Sequence, residues 1–447
     1  MSSMITDQSP ITFQDPIADA VDVVVIGGGI AGVSTAYFLA QQGISVMLCE
    51  KGRIAGEQSS RNWGWIRQQR RDAAELPIVM ESARIWRNFA AETGEADLGF
   101  TECGCVQFIE DEAVMAKCEA WVETSKQHQL ASEVLSPSQI AARFPEVSGN
   151  WLGAIYTPSD GRGEPFVAVP ALVRAATRAG VRIRENCAVR TLDIEGGRIT
   201  GVYTEAGRIA CSQVVLAGGA WSTHFASNAR VSLPQLAVRS TTARTNLAPD
   251  VIGPMFWAPE LALRRRADGG YTVTTGDLAE HYLSPNSFRF AMTFRHLMSG
   301  SSNKIKLHLA APKGYPGSWS MRQRWSASDR SPFEEMRVLN PPPAKSVIKR
   351  LEKSLPKRVP ALEGIGIAEA WAGMIDVTPD AVPYIGECHA QPGLFILTGL
   401  SGHGFGMGPG AARVMADLVA GRSSGHNLER FRTNRFADGS KIVPGPY

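Results

Sequence analysis

The chain has 447 residues, enough to bury a large core and to divide into two domains. Hydrophobic residues make up 44% and charged residues 20%, and 46 basic side chains against 43 acidic ones give a net charge of +3, so neither a disordered chain nor a nucleic-acid binder is indicated. The seven cysteines are scattered, Cys103-Gly-Cys105 is too short for a zinc knuckle, and no histidine pair has ligand spacing, so no metal site is expected and the thiols read as reduced, in a cytosolic protein.

Residues 1–19 carry Asp7, Asp15 and Asp19 and no apolar core; they read as a loose arm, neither signal peptide nor membrane span. Val21 to Ile26 is an apolar strand running into Gly27-Gly-Gly29-Ile-Ala-Gly32, then a helical pattern from Val33 to Gln42 and a second strand, Ile44 to Cys49, ending on Glu50. This β-α-β unit is the pattern of a dinucleotide site. Gly27 makes the tight turn, Gly29 lets the backbone approach the pyrophosphate, and Gly32 lets helix and strand pack closely. Glu50 stands where an acid bonds a ribose hydroxyl.

A polar loop, Lys51 to Trp65, comes next. Helices are expected over Leu76–Ala91, Ala113–Gln129 and from Ser136, and Val106–Ile109 reads as a strand. Pro170 to Ala179 reads as a helix with proline in its first turn. Strands follow at Val181–Glu185, Ala188–Ile194 and Ile199–Thr204, the last two joined by the Glu195-Gly-Gly-Arg198 hairpin turn. A buried strand from Gln213 ends in Ala217-Gly218-Gly219. Gln235–Asn246 and Leu261–Thr275 read as antiparallel strands, the latter broken at Asp268-Gly-Gly270. Residues 280–332 have no clear periodicity. Ser346–Lys353 is helical, Ile365–Ile375 and Leu394–Thr398 are strands, and a glycine-rich turn, Ser401–Gly410, opens a last helix, Ala411–Ala420.

The pattern is α/β plus α+β: a discontinuous Rossmann-like FAD-binding domain (20–108, 148–230 and 362–437) and an antiparallel-sheet substrate domain (109–147 and 231–361) that contains 280–332. Gly406-Met-Gly408-Pro-Gly-Ala411 matches a second fingerprint in form, but it lies beyond its strand and lacks a following strand with a terminal acid, so a nicotinamide domain is not expected. FAD suits the chain better than NAD. The loop after Glu50 is rich in Ser and Arg, a second strand ends in glycines, and the positive end of a C-terminal helix would stabilise anionic reduced flavin.

Five blocks carry a family resemblance: Glu50-Lys-Gly-Arg-Ile-Ala-Gly-Glu-Gln-Ser59, Asn186-Cys-Ala-Val-Arg190, Ser212 to Ser222, Arg266-Ala-Asp-Gly-Gly-Tyr271 and Ser331-Pro-Phe-Glu-Glu-Met-Arg337. From Val21 to about Phe436 the chain resembles the FAD-dependent D-amino-acid-oxidase superfamily, and most closely the bacterial membrane-associated L-amino acid deaminases. The resemblance implies that Gly27, Gly29, Gly32, Glu50, Lys51, Ser59, Ser60, Arg61 and Asn62 hold or flank the ADP half of FAD. It implies that Val189 touches the adenine, that Ala217, Gly218 and Trp221 flank the ribityl and phosphate region, and that Gly402, His403, Gly404, Phe405 and Gly406 border the flavin. It puts Arg264 on the substrate carboxylate and Trp371 on the pocket wall. Gly373 stands where sarcosine oxidase has its flavin-linking cysteine, so FAD is expected to be non-covalent. Residues 280–332 resemble the deaminases' membrane-associating module, which leaves peripheral attachment to the inner membrane open.

An arginine triplet such as Arg264-Arg-Arg266 is most often solvated, yet alternation puts Arg264 and Arg266 on one face, and a guanidinium fork suits a carboxylate. His403, between two glycines, reads either as a flavin neighbour or as a packed loop histidine. Trp63 and Trp65 read as a flavin roof, with Arg67 or Gln68 reaching substrate, or else as core. The expected reaction is oxidation of an amino acid C–N bond to an imino acid, then a 2-oxo acid and ammonia, with oxygen or a quinone as acceptor. L substrates are favoured by the resemblance; D-, N-methyl and cyclic substrates, a carboxylate-free amine, and a flavin-binding partner subunit stay open.

Overall fold

A computed structural model describes residues 4–95, 98–300 and 304–445. The chain opens with β1 (Val23–Ile26), α1 (Ile30–Gln41) and β2 (Val46–Cys49), then α2 (Gln58–Arg61), β3 (Trp65–Ile66) and α3 (Leu76–Thr93). β4 (Cys105–Ile109) and β5 (Gly153–Thr157) are followed by α4 (Pro165–Arg178), β6 (Arg182–Arg184) and β7 (Gln213–Leu216). The middle holds β8 (Leu236–Thr245), β9 (Met255–Ala258), β10 (Leu261–Arg265), β11 (Tyr271–Thr274) and β12 (Leu278–Tyr282). α5 (Lys345–Arg358), β13 (Ile367–Val377), β14 (Tyr384–Glu387), β15 (Leu394–Thr398) and α6 (Gly404–Val419) complete the frame.

The first sheet has the order β14-β15-β7-β1-β2-β6 and is parallel except at β14. Parallel strands are covered on both faces, and β1 shows why its residues are uniformly apolar. Val23 and Val25 pack with α1, α4 and α6, whereas Val24 packs against the meander Val189–Ala210 on the other side. The arm expected to be loose is pinned instead: Thr12 N–H donates to Glu185 Oε2 (2.6 Å), Asp15 N–H to the Ile183 carbonyl (3.2 Å), and Arg53 Nε to the Ser9 carbonyl (2.7 Å).

The second, larger sheet is mostly antiparallel and runs β12-β8-β11-β10-β9-β4-β5, with β13 alongside β8. β4, β5 and β13, expected from sequence beside the first sheet, hydrogen-bond into this larger one. The sheet has two chemically distinct faces, because alternate residues point opposite ways. Phe108, Phe256, Leu263, Tyr271 and Val273 pack on Val347, Leu351 and Leu355 of α5. The register puts Gln107, Trp257, Ala262, Arg264, Thr274, Thr242, Trp371 and Gly373 on the other face.

Two helices start earlier than the sequence suggests. α4 begins at Pro165, so Pro170 lies inside the helix and not in its first turn. α6 begins at Gly404, making the glycine-rich stretch helical. Glycines are poor helix formers, but here close packing demands them. A Cβ on Gly410 would sit 2.5 Å from the Ile78 carbonyl oxygen, and one on Gly406 3.1 Å from the Trp65 carbonyl oxygen. Ser82 Oγ (2.6 Å) and Trp86 Nε1 (3.2 Å) of α3 then donate to the Gly406 carbonyl. Residues 280–332, unassigned from sequence, contribute the end of β12, helices Pro285–Arg289 and Ala291–Gly300, and a strand, Lys304–His308, parallel to β12.

Candidate active site

A cavity runs from the β1–α1 turn, where Gly27, Gly28 and Gly29 line it, to the start of α6, where Gly402 and Gly404 do. Gly27 has φ +109°, and a Cβ there would lie 2.5 Å from the Ala217 carbonyl oxygen; one on Gly32 would lie 2.0 Å from the Gly27 carbonyl oxygen. The turn can therefore be built only from glycine. Gly29 caps α1 without a side chain, leaving the positive helix end open toward the cavity. Ser59, which also lines the cavity, fixes this end by accepting from Ile30 N–H (2.9 Å).

Glu50 Oε2 accepts from Gly28 N–H and Oε1 from Gly52 N–H, both at 2.7 Å. Burial pushes its carboxyl above the ordinary value, against the pull of Lys51 and the two amides. Each oxygen keeps a second lone pair, as a ribose hydroxyl requires. Val189, Ala217, Gly218, Trp221 and Asn62 line the same cavity.

Three residues expected at the ADP half do something else. Lys51 lines the cavity, but its Nζ donates to Glu57 Oε1 (2.6 Å) and to the carbonyls of Met336 (2.8 Å) and Arg337 (2.9 Å), so its three protons are spent on protein. Arg61 is buried and turned to the Gly56 and Ile5 carbonyls. Ser60 Oγ donates to the Glu57 carbonyl (3.3 Å). Glu57, missed from sequence, is the hub here: it takes Lys51, Trp221 Nε1 (2.8 Å) and Leu339 N–H (3.2 Å) and lines the cavity. Two of its three partners, Trp221 and Leu339, lie far along the chain, so local spacing does not mark it as a hub.

At the other end Gly402, Gly404 and Phe405 line the cavity. His403 between them points away, its Nδ1 3.5 Å from Glu75 Oε1. Burial first, then the charges of Arg71 and Arg67, hold its pKa well below the usual histidine value, so it is neutral. It does not line the cavity, and Gly406 packs on β3 instead. Asp376, also missed, lines the cavity and shapes the approach to α6, accepting from Gly399 N–H (2.7 Å) and Leu400 N–H (3.3 Å).

The residues expected to hold substrate are rearranged most. Arg264 is 1% exposed and bidentate to Glu164 (2.7 and 3.0 Å); its Nε donates to the Trp63 carbonyl (2.5 Å) and its Nη1 also to the Arg265 carbonyl (3.1 Å). Four of its five N–H donors are committed and its charge is balanced, so it is not presented as a carboxylate clamp. Gln68 is spent on Ser159 Oγ (3.1 Å) and Asp160; burial, opposed by the Gln68 and Gln69 amides, pushes the Asp160 carboxyl up to about 6. Trp371 lies outside the cavity lining and donates its Nε1 to the Arg61 carbonyl (3.0 Å). Against this sheet face, Trp63, Trp65 and Trp257 meet edge to face (5.7 and 6.3 Å), and the Arg67 guanidinium lies 4.9 Å from the Trp257 ring centre.

The donor set fits FAD. The glycine cradle admits a diphosphate and Glu50 a ribose. Gly373 offers no side-chain atom for a covalent link.

Comparison with known proteins agrees. Over residues 22–418 the chain matches the family model described as DAO, FAD dependent oxidoreductase. It is similar to the L-amino acid deaminase of Proteus myxofaciens, solved in complex with anthranilate: TM-score 0.90 and 30% identity, over 96% of this chain and 97% of that one. The Proteus vulgaris deaminase gives 0.89 and 28% over 95% and 99%. A curated relative, the formaldehyde-forming 4-methylaminobutanoate oxidase of Paenarthrobacter nicotinovorans, is 24% identical over 95% of this chain but only 47% of its own length; the chain spans less than half the length of the first curated relatives it matches. The match over residues 22–418, with the glycine turn at its head, establishes that the chain belongs to the FAD-dependent oxidoreductase family of D-amino-acid-oxidase type.

Proposed function

We propose that this enzyme oxidises the Cα–N bond of an amino acid, L-configured by its likeness to the deaminases, to an imino acid that water converts to a 2-oxo acid and ammonia. Bound FAD supplies the hydride acceptor. The observation that carries the reading is the glycine-lined cavity at the head of α1, in a chain that is 30% identical to a deaminase at TM-score 0.90. The substrate lies between the β3 segment and the sheet face bearing Trp257, with Trp63, Trp65 and Trp257 as apolar walls. Arg67, 8% exposed and reached from the first turn of α6 through the Gly406–Arg67 backbone approach, supplies the positive charge that a carboxylate needs. The same charge in a dry site lowers the ammonium pKa and favours the neutral amine from which hydride departs. Orientation does most of the work and calls for no acid–base pair. Arg264 acts one step back, fixing β3 through the Trp63 carbonyl.

Anaerobic mixing with both enantiomers of a panel of amino acids tests this directly. Bleaching of the flavin band by L-amino acids is the expected result. Bleaching only by carboxylate-free or N-methyl amines would replace the reading with that of an amine oxidase, the direction in which the methylaminobutanoate oxidase points.

A membrane-coupled dehydrogenase using a quinone is the second reading. It is favoured by exposed apolar side chains concentrated in 280–332, where Phe288, Met292, Leu309 and Trp319 are 63, 72, 91 and 56% exposed, beside Arg289, Lys306 and Lys313. Such a mixed surface suits a peripheral anchor at the cytoplasmic membrane face. Among the described residues no helix is long and apolar enough to cross a membrane. Vesicle co-sedimentation, together with dye reduction against oxygen consumption, separates this from a free oxidase.

A further inference from the structure

We propose that residues 331–340 form a latched strap that must swing aside before FAD can enter or leave its cavity. The inference concerns cofactor exchange alone and stands whichever amine is oxidised. The strap runs from Ser331 and the short helix Pro332–Glu335 to Asn340. Among the described residues, Phe333 is the one cavity-lining residue between Phe225 and Met374. The other walls at this end come from the β1–α1 turn, the loop after β2, the meander that carries Val189, and Trp221.

The strap is fastened to three of these walls. Glu334 takes Arg190, the chain neighbour of Val189, through Nε (3.1 Å) and Nη2 (2.7 Å). The Phe333 ring meets Trp221 and Phe225, each with 6.1 Å between ring centres. The Met336 and Arg337 carbonyls take Lys51 Nζ, and Arg337 in turn is bidentate to Glu205 and donates to the Lys51 carbonyl (2.9 Å). A band joined to the loop after β2, to the meander and to Trp221 spans the ADP end of the cavity and does not merely back one wall.

What holds the strap is releasable. Among the described residues, no backbone–backbone hydrogen bond joins 331–340 to another element; the two it makes, from Glu334 N–H to the Ser331 carbonyl and from Met336 N–H to the Pro332 carbonyl, are internal. Side-chain clasps of this kind open without dismantling a sheet, as local opening requires. The Arg337 and Glu205 side chains are 26 and 18% exposed, so water can replace the pair as the strap lifts. Burial raises the Glu334 carboxyl, but Arg190 and Ser331 outweigh it and bring it down to about 2, so that clasp stays charged near neutrality. The consequence is kinetic: a strap that opens and recloses governs how fast FAD passes far more than how tightly it is held.

Stopped-flow mixing of apoprotein with rising concentrations of FAD, followed by flavin fluorescence, tests this. The observed uptake rate of the wild type should level off at a plateau set by strap opening. Arg337→Met keeps the stem and removes the Glu205 pair; it should raise the plateau and the dissociation rate together, each about tenfold for the loss of one charge-assisted pair. Because both rates rise, the Kd for FAD should stay within about threefold of wild type. Glu205→Gln, which keeps an acceptor for Ala188 N–H (2.7 Å), should behave alike and serves if the first variant folds poorly. An uptake rate that climbs linearly with FAD and never levels off, or a plateau that neither variant moves, would overturn the gate. Faster dissociation with unchanged uptake would overturn it too, since that is the mark of an ordinary wall contact.

Discussion

Replacing Arg264 by leucine distinguishes a substrate clamp from an internal strut. The side chain is 1% exposed and Glu164 is 7% exposed, so the replacement strands a carboxylate that also accepts from Ala267 N–H (2.9 Å). Removing one partner of a buried pair costs about 3–5 kcal/mol. Unfolding entropy of ~2.1 cal/mol/K per residue over 447 residues gives roughly 1 °C per kcal/mol, so a single cooperative transition should shift by about 3–5 °C. The shift depends on pH. Burial raises the Glu164 carboxyl, but Arg264 outweighs it and holds the group below its ordinary value of 4.5. A depressed folded-state pKa means that the contribution is full above the unfolded value and is lost as pH falls through the folded one. The Tm gap between wild type and Arg264→Leu should therefore be widest near neutrality and shrink as pH falls below 4.5 through the lowered Glu164 value. Arg264→Leu/Glu164→Leu should recover part of the loss, because an apolar pair replaces an ionic one at little cost. Thermal melts followed by circular dichroism, with flavin reduction measured in parallel, decide the matter. An Arg264→Leu protein with unchanged Tm and a hundredfold higher KM for amino acids would refute the strut and restore the clamp.

Three other outcomes follow from the site. Gly32→Ala, whose Cβ would lie 2.0 Å from the Gly27 carbonyl oxygen, should purify without flavin; a normal visible flavin band would contradict the tight-turn argument. Glu50→Gln turns one acceptor into a donor facing the Gly28 or Gly52 amide, and the lost bond, about 1–3 kcal/mol, should weaken FAD roughly tenfold or more in apoprotein titrations. His403, held neutral by burial and by Arg71 and Arg67, should leave no histidine limb in the pH dependence of kcat/KM. Its depressed pKa should make wild-type Tm fall as pH drops below 6.5, and His403→Gln should flatten that slope; identical slopes would mean that the ring titrates normally.

What the sequence revealed of this protein follows a physical division. Demands made on the backbone alone were legible: Gly27 and Gly32 announce a turn with no room for Cβ, and alternation along Leu261–Arg265 put Arg264 on the inner face. Even Ser136 with Gln139 marked a helix start that the structure closes as a reciprocal cap. Demands satisfied by distant partners were not legible. Arg264 looked available because Glu164, which neutralises it, lies a hundred residues away. Lys51 looked available to the ADP half of FAD because the Met336 and Arg337 carbonyls that exhaust it come from another part of the chain. The start of α6 was misplaced for the same reason, since glycine's poor propensity is local and the contacts with Ile78, Ser82 and Trp65 that override it are not.

The same division bears on how the enzyme holds its reactants. Positive charge is expensive to bury, and this site neutralises much of it internally, Arg264 with Glu164 and Lys51 with Glu57. Those pairs cannot attract a substrate anion, but they fix β3 and the Trp221 edge of the cavity without the mobility that free side chains would have. On the proposed reading, recognition is left to the α1 and α6 amino ends, which carry no net charge, together with Arg67 stacked on Trp257. Oriented dipoles of this kind need no reorganisation at the moment of reaction. A pocket so arranged should discriminate by fit against the indole walls more than by charge, so rates across amino acids should track side-chain shape and apolar area. A substrate series in which rate follows formal charge instead would show that the buried pairs open on binding.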